Sequence, residues 1–447
     1  MSSLQKLAVR GALWTFVGYG SGQVLRLIGN LILTRLLVPE MFGLMALVQT
    51  FITGLNLFSD IGIRPSIIQN KRGDDPVFLN TAWTMQVMRG LLLWVGCFLI
   101  ALPVSNFYGD SRLLWLVPIV GTTVAIDGFN STSLALLSRK VAIAKLTVFE
   151  ITIQSLALGV MTLWAFFRQT IWALVGGNLI SSFCKLIWSH RLEPRMPHRF
   201  TWDKDAVHDL TTFGRWIFLS TAMTFLAQQS DRLILGRLLS LEMLGVYTIA
   251  FTFSFIPNSV IVAINSKVIF PVVSKRADLP RPELRAKILQ KRWLLLVALA
   301  VGIALLGSFG DLVIVNLYDE RYHAAAWMLA ILALGNWPSA ISLTINSSLL
   351  AIGKPIYGAI GYCLKFIYML LAVPLAFSQL GVFGAILTIA FNDLPFYAAI
   401  GYGAWREQLT TTRQDLLATL LLLGLVVLLV GGRYWLGWGL PIDRLWQ

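Results

Sequence analysis

Apolar residues run through this chain in stretches of roughly 17–25, separated by short polar connections, which is the length a helix needs to cross a bilayer. The pattern predicts about thirteen spans. They fall near residues 11–34, 42–64, 80–104, 113–137, 146–167, 169–189, 210–235, 243–266, 293–316, 325–351, 355–377, 381–404 and 415–436. Polar residues interrupt the first span at regular intervals. Thr15, Tyr19, Gln23, Arg26, Asn30 and Thr34 are spaced by three and four, so they share one helix face. An arginine at the centre of a span costs roughly 2.5–3.5 kcal/mol on insertion scales, so this face should turn to protein or water rather than lipid.

A second pattern overlies the first. Residues 31–43 read LILTRLLVPEMFG and residues 233–245 read LILGRLLSLEMLG, matching in register at Arg, Glu, Met and Gly as well as at Leu. The same offset pairs Trp14 with Trp216, Phe16 with Phe218 and Asn56 with Asn258, and NSTSLAL (130–136) resembles NSSLLAI (346–352). Two copies of a six-span unit are expected, 1–200 and 206–405, with a linker and one further span in 406–447. An even number of spans per copy makes the copies parallel. Repeats of this kind point to a secondary transporter with its site at the repeat interface. The fold class expected is an all-α integral membrane protein.

Composition agrees. The chain is 57% hydrophobic and 13% charged, with mean hydropathy +0.72, against about 25% charged in soluble domains. The net charge of +14 is distributed unevenly, with about 23 Lys and Arg in alternate connections and about 7 in the others. That asymmetry places the N-terminus in the cytoplasm and argues for orientation rather than for a nucleic-acid partner. The first hydrophobic stretch is too long for a cleavable signal and contains Arg26. Cys97, Cys184 and Cys363 are scattered within spans and suit neither a disulfide framework nor a metal.

Enzyme chemistry finds little support. No phosphate-binding glycine loop, zinc motif or nucleophile elbow occurs, and His190, His198, His208 and His323 lie in or beside connections without ligand spacing. No cofactor is expected. The stretch holding Arg281, Arg285, Lys287 and Arg292 reads as an amphipathic surface helix drawn to anionic lipid, or as a plain linker. The remaining candidates are ionisable groups at membrane depth: the bases Arg26, Arg89 and Lys365 and the acids Asp127 and Asp393. Nearer span ends are Asp60, Glu150, Arg215 and the adjacent Asp231 and Arg232. In the second copy, Thr221, Thr224, Gln228 and Asp231 repeat the polar face of the first span. Both faces are expected to line one hydrated, net positive cavity. Such a cavity suits an anionic head group, because Arg offers a planar fork for phosphate and Lys a compact charge.

The sequence resembles the polysaccharide-transport branch, the O-antigen-type lipid-linked oligosaccharide flippases, of the multidrug/oligosaccharidyl-lipid/polysaccharide exporter superfamily. The residues that carry the likeness are Arg26 followed by TRLLVPEMFGLMAL, then FSDIGIRPSIIQ (58–69), LLSRKVAIAKLTVFEI (136–151), QQSDRLILGRLLSLEMLGVYTIA (228–250) and LLAIGKP (349–355). It covers about residues 8–405. The resemblance implies two six-helix lobes in a V that opens alternately to each side, in the bacterial inner membrane. It implies a cargo of undecaprenyl-diphosphate-linked oligosaccharide moved to the outer leaflet, with polysaccharide polymerase and other assembly proteins as partners. Family members carry basic residues in the cavity, which makes Arg26 the first candidate, followed by Arg89, Arg232 and Lys365. Gln23, Asn30 and Gln228 would line its walls. Asp60, Asp127, Asp231 and Asp393 would couple ions or form ion pairs. The competing readings are a drug/cation antiporter of the same superfamily and a membrane-embedded polymerase or ligase.

Overall fold

The structure, a computed structural model, describes residues 3–140, 142–193, 198–265, 269, 273–274 and 279–443, with the backbone alone at 3–13, 15–16, 212–221 and 263. The side chains of Thr15, Phe16, Arg215, Trp216, Phe218 and Thr221 lie outside the described residues. Among the described residues there are helices and no strands. Among those residues seven helical stretches are long and apolar enough to cross a membrane, and nine if two bent helix pairs each count as one. The protein is a multi-pass membrane protein.

The chain forms two compact units, Met1–Phe225 and Leu226–Gln447. Unit 1 contains α1 (Ser3–Leu36), α2 (Pro39–Phe58), α3 (Ile63–Gln69), α4 (Pro76–Tyr108), α5 (Leu113–Gly128), α6 (Ser133–Arg139), α7 (Ile143–Phe167) and α8 (Trp172–Arg191). Helix α9 (Lys204–Leu238) crosses the division. Prolines open α2 and α4 at positions where no amide donor is needed. Asp75 caps α4 by accepting from the Val77 amide at 3.1 Å. Helix α1 packs on α7, where Gln154 Nε2 donates to the Gly22 carbonyl at 3.1 Å and Thr147 Oγ1 to that of Trp14 at 3.3 Å. The α1, α8 and α9 segments, expected as spans, are not among the seven. Their polar residues dilute the apolar content.

Unit 2 continues with α10 (Leu241–Ser254), α11 (Ile256–Ile264), α12 (Arg281–Leu317), α13 (Ala325–Gly335), α14 (Trp337–Ala351), α15 (Ile356–Ala390), α16 (Leu394–Arg406) and α17 (Thr412–Trp435). The stretch from Ile356 to Arg406 is 51 residues long, about 75 Å if straight and more than two bilayer cores. Gly381 interrupts it with φ 60° and ψ −144°, a conformation open to glycine at little cost. The expected surface helix takes another form: Arg281–Arg292 is the opening of α12, continuous with the span that follows.

Helix α17 is fastened to unit 2 at both ends. Arg292 of α12 meets Asp415 at 2.5 Å and also donates to Thr344 Oγ1 at 2.7 Å and Gln414 Oε1 at 3.0 Å. Arg433 forms a two-pronged pair with Asp311, both contacts at 2.6 Å, and donates to the Ser308 carbonyl. All four charged side chains are buried. Buried charges in a membrane protein need such partners, since an isolated one is expensive. Apolar packing of Leu296, Ile303, Trp337 and Ala340 against Ala418 and Leu422 fills the space between the two pairs.

Two spans are broken within the fold. Helices α5 and α6 meet at 59°, and α10 bends by 47° from residues 256–262 of α11. The sequence pattern reads each as one continuous span, because the stretches that hold the breaks are apolar on average.

Candidate functional site

A helix break exposes carbonyls that the next turn would have bonded. In unit 1 the amide of Gln86, on α4, fills that gap by donating to the carbonyls of Asp127, Gly128 and Asn130 at 3.2, 3.0 and 3.1 Å. Trp83 Nε1 donates to the Phe129 carbonyl at 3.2 Å. The α4 and α5 backbones can approach because Gly90 faces Gly128. A Cβ on Gly90 would lie 3.0 Å from both the Gly128 Cα and the Val124 oxygen.

This packing opens a cavity of about 380 Å3 against the break, lined by Asn56, Asp60, Arg64, Arg89, Asp127 and Lys185 among others. Arg89 stands at the end of α2, donating from Nε to the Ser59 carbonyl at 2.9 Å and from Nη2 to the Asn56 carbonyl at 2.6 Å. A cation at a helix C-terminus meets both the orphan carbonyls and the negative end of the dipole. Lys185 Nζ pairs with Asp127 Oδ1 at 3.0 Å, and Asn130 Nδ2 donates to the same oxygen at 2.8 Å. Asp60 accepts from the Gly62 amide at 2.9 Å.

Unit 2 builds a comparable site by other means. Asn336, at the junction of α13 and α14, donates to the Ser254 carbonyl at the α10–α11 bend (2.7 Å) and accepts from Asn258 Nδ2 (3.0 Å). A cavity of about 690 Å3 lies against this bend. Lys365 and Asp393 form an ion pair there at 2.7 Å, each residue only 8% exposed. Tyr247 donates to Asp231 Oδ2 at 2.5 Å. Arg232 donates to Gln229 Oε1 at 2.6 Å and lies 5.0 Å from the centre of the Phe251 ring. Gln228 also lines this cavity. Asp231 Oδ1, Arg232 Nε, Asn258 Oδ1 and Asn265 Oδ1 are buried and have no hydrogen-bond partner among the described residues. Leaving such a group unsatisfied costs about 1–3 kcal/mol, so these atoms are predisposed to a polar ligand or to solvent.

The structure therefore distributes the candidates over two sites. Asp60, Arg89 and Asp127 belong to the unit 1 cavity, and Gln228, Asp231, Arg232, Lys365 and Asp393 to that of unit 2. Gln23, Arg26 and Asn30 of α1 line neither. Gln23 Nε2 donates to the Tyr19 hydroxyl at 3.0 Å, Thr34 bonds back to the Asn30 carbonyl, and Arg26 is exposed. The expected net positive interior is matched only in part: bases outnumber acids by one in the unit 1 cavity and balance them in that of unit 2. Arg64, Arg89 and Lys185 face Asp60 and Asp127 in one cavity, and Arg232 and Lys365 face Asp231 and Asp393 in the other. Nearly every base has a carboxylate or a helix end beside it. The count of midspan charges left out Lys185, which lies near the end of its predicted span, and set Asp231 near a span end although it lies within α9. Gln86 and Asn336 were also missed, being ordinary amides until the breaks they close are known.

Residues 32–327 match the model of the family described as Polysaccharide biosynthesis protein. The chain belongs to that family. It is 24% identical over 266 residues to the Succinoglycan biosynthesis transport protein ExoT of Rhizobium meliloti (strain 1021), covering 60% of this chain and 53% of that protein. It is likewise 24% identical to the Teichuronic acid biosynthesis protein TuaB of Bacillus subtilis (strain 168) over 356 residues, 79% of this chain and 73% of the relative. The match thus spans about half the length of the succinoglycan relative. Among solved structures, one titled "Lipid II flippase MurJ, inward closed conformation" superposes with a TM-score of 0.72 at 13% identity, covering 94% of this chain and 92% of that one. At that identity the likeness speaks to the fold alone, which this chain shares with that structure.

Proposed function

We propose that this member of the polysaccharide biosynthesis family moves an undecaprenyl-diphosphate-linked oligosaccharide from the cytoplasmic to the outer leaflet by alternating access. One observation carries the reading: each unit places a polar cavity holding paired acids and bases against a broken helix. Irregular backbone at membrane depth is tolerated where it is buried in protein or lines a water-filled cavity, and transporter substrate sites are typically built at such discontinuities. The relatives' names, which refer to succinoglycan and teichuronic acid biosynthesis, support a glycan cargo.

The charge balance shapes the mechanism. A diphosphate entering the unit 1 cavity would compete with Asp127 for Lys185 and use the guanidinium edge of Arg89 that α2 leaves over. In unit 2 it would compete with Asp393 for Lys365. Arg26 would meet the head group from α1. Within this reading 1–200 and 206–405 are parallel six-helix copies and 406–447 adds a helix. The N-terminus faces the cytoplasm of the bacterial inner membrane, supported by the Lys and Arg bias. Reconstitution tests the proposal: liposomes holding the purified protein should move undecaprenyl-diphosphate-linked sugar across the bilayer, and cells lacking it should accumulate the inward-facing intermediate. Glycan chain extension by the purified protein alone, without translocation, would replace this reading with an enzymatic one.

A further inference from the structure

Away from both cavities, α12 carries a slot that the transport reading does not use. It is an apolar pocket of about 160 Å3, walled by Ile264, Val273, Leu284, Ile288 and Leu295, with the half-buried Lys287 and the exposed Lys291 also in its lining. Drug-sized ligands occupy about 300–1,000 Å3, so this slot holds only part of a narrow apolar chain. Its position explains which chain. Helix α12 has 37 residues, whereas a span takes about 20, so the opening turns that hold the lysines project beyond the hydrocarbon. Arg281, Arg285, Lys287 and Lys291 crowd those turns, with Glu283 the one acid among the residues from 281 to 291. Glu283 bonds Lys287 at 2.5 Å, and Lys291 is exposed. The connections on this side carry the excess of bases, which is the side facing anionic lipid head groups.

We infer that this slot binds an anionic bilayer phospholipid, with one acyl chain lodged between α11 and α12 and the head-group phosphate held by Lys287 and Lys291. Thr344 and Arg292 also line the slot, both buried, and Arg292 is committed to Asp415. Lys287, solvent-accessible beside Glu283, and the exposed Lys291 therefore supply the recognition. Basic residues near an anionic surface attract lipid, and an apolar slot beside them adds specificity for a chain over a free anion.

The test uses the purified full chain in detergent with phosphatidylglycerol or phosphatidylcholine of matched chains, read by native mass spectrometry and by thermal unfolding. Phosphatidylglycerol should bind more tightly and stabilise more. The double substitution Lys287→Gln/Lys291→Gln should weaken it roughly 30-fold, the combined attraction of two lysines for an anionic lipid. Phosphatidylcholine should be unaffected. Ile288→Trp, which fills the slot and keeps the charge, should also abolish the preference. If the two lipids bind equally, or the double variant keeps the full preference, the site does not exist. If inorganic phosphate competes as well as the phospholipid, the slot has no part in binding. Undecaprenyl phosphate binding in a lysine-dependent way, with phosphatidylglycerol binding nowhere, would overturn the choice of lipid.

Discussion

Removing one member of the Lys365–Asp393 pair offers a sharp view of the unit 2 cavity. The two groups are 2.7 Å apart and 8% exposed, so Asp393→Asn leaves an ammonium enclosed without its counter-charge. Breaking a buried pair in this way costs about 3–5 kcal/mol, whereas replacing both partners by apolar residues of similar volume is often neutral or stabilising. The pair borders a cavity of about 690 Å3 that can admit water, so the lower end applies, about 3 kcal/mol. The assay is thermal or denaturant unfolding in detergent for Asp393→Asn, Lys365→Met and the double variant Lys365→Met/Asp393→Leu. Both single variants should be clearly destabilised and the double variant should recover most of the loss. Transport then separates structure from function. If Lys365 exchanges its carboxylate for the cargo's phosphate, the double variant is stable yet inactive in the reconstituted assay. Single and double variants equally destabilised would refute the energetic reasoning, and full transport by the double variant would remove Lys365 from the cargo path.

Gln86→Leu should destabilise unit 1 by about 2 kcal/mol, since the Gly128 and Asn130 carbonyls at the α5–α6 break lose their donor while that of Asp127 keeps the Asn130 amide; unchanged unfolding would show that the break is held elsewhere. Gly90→Val should be worse tolerated than Gly96→Val, because the first meets backbone at 3.0 Å and the second only a Leu55 side-chain carbon at 3.9 Å; expression and monodispersity of the two would show the order. Asp75 lies in a connection, and its carboxyl is held below the usual range by the Val77 backbone amide and by Arg72. A depressed carboxylate pKa contributes stability that is present at neutral pH and is lost as pH falls through the folded value, below about 4. Acid titration of unfolding should therefore show a smaller loss in Asp75→Asn than in the parent.

Element content was largely legible, and the chemistry only partly so. Long apolar runs announce helices because no other open structure satisfies its backbone in lipid, and prolines such as Pro39 and Pro76 mark their starts. The bends at Phe129–Thr132 and Phe255 escaped notice because hydropathy averages over a window, in which the short polar run Asn130, Ser131 and Thr132 is outweighed and Phe255 is itself apolar. Spacing placed Arg26 and Asn30 on one face, but spacing cannot say what the face meets. Lys365 and Asp393 were each identified as midspan charges, yet they lie 28 residues apart, one on α15 and the other in the turn before α16. Only the fold brings them together, so what the sequence shows as separate midspan charges is one ion pair.

The paired charges on α17 have a consequence for how unit 2 sits in its surroundings. Asp415 and Arg433 are 18 residues apart on one continuous helix, a rise of about 27 Å, close to the thickness of the oily layer it crosses. Each is riveted to α12 by a partner that cannot follow a sliding helix. The two rivets act as a fixed gauge: this half of the protein has a set hydrophobic height, and a membrane of a different thickness must itself stretch or thin to match it.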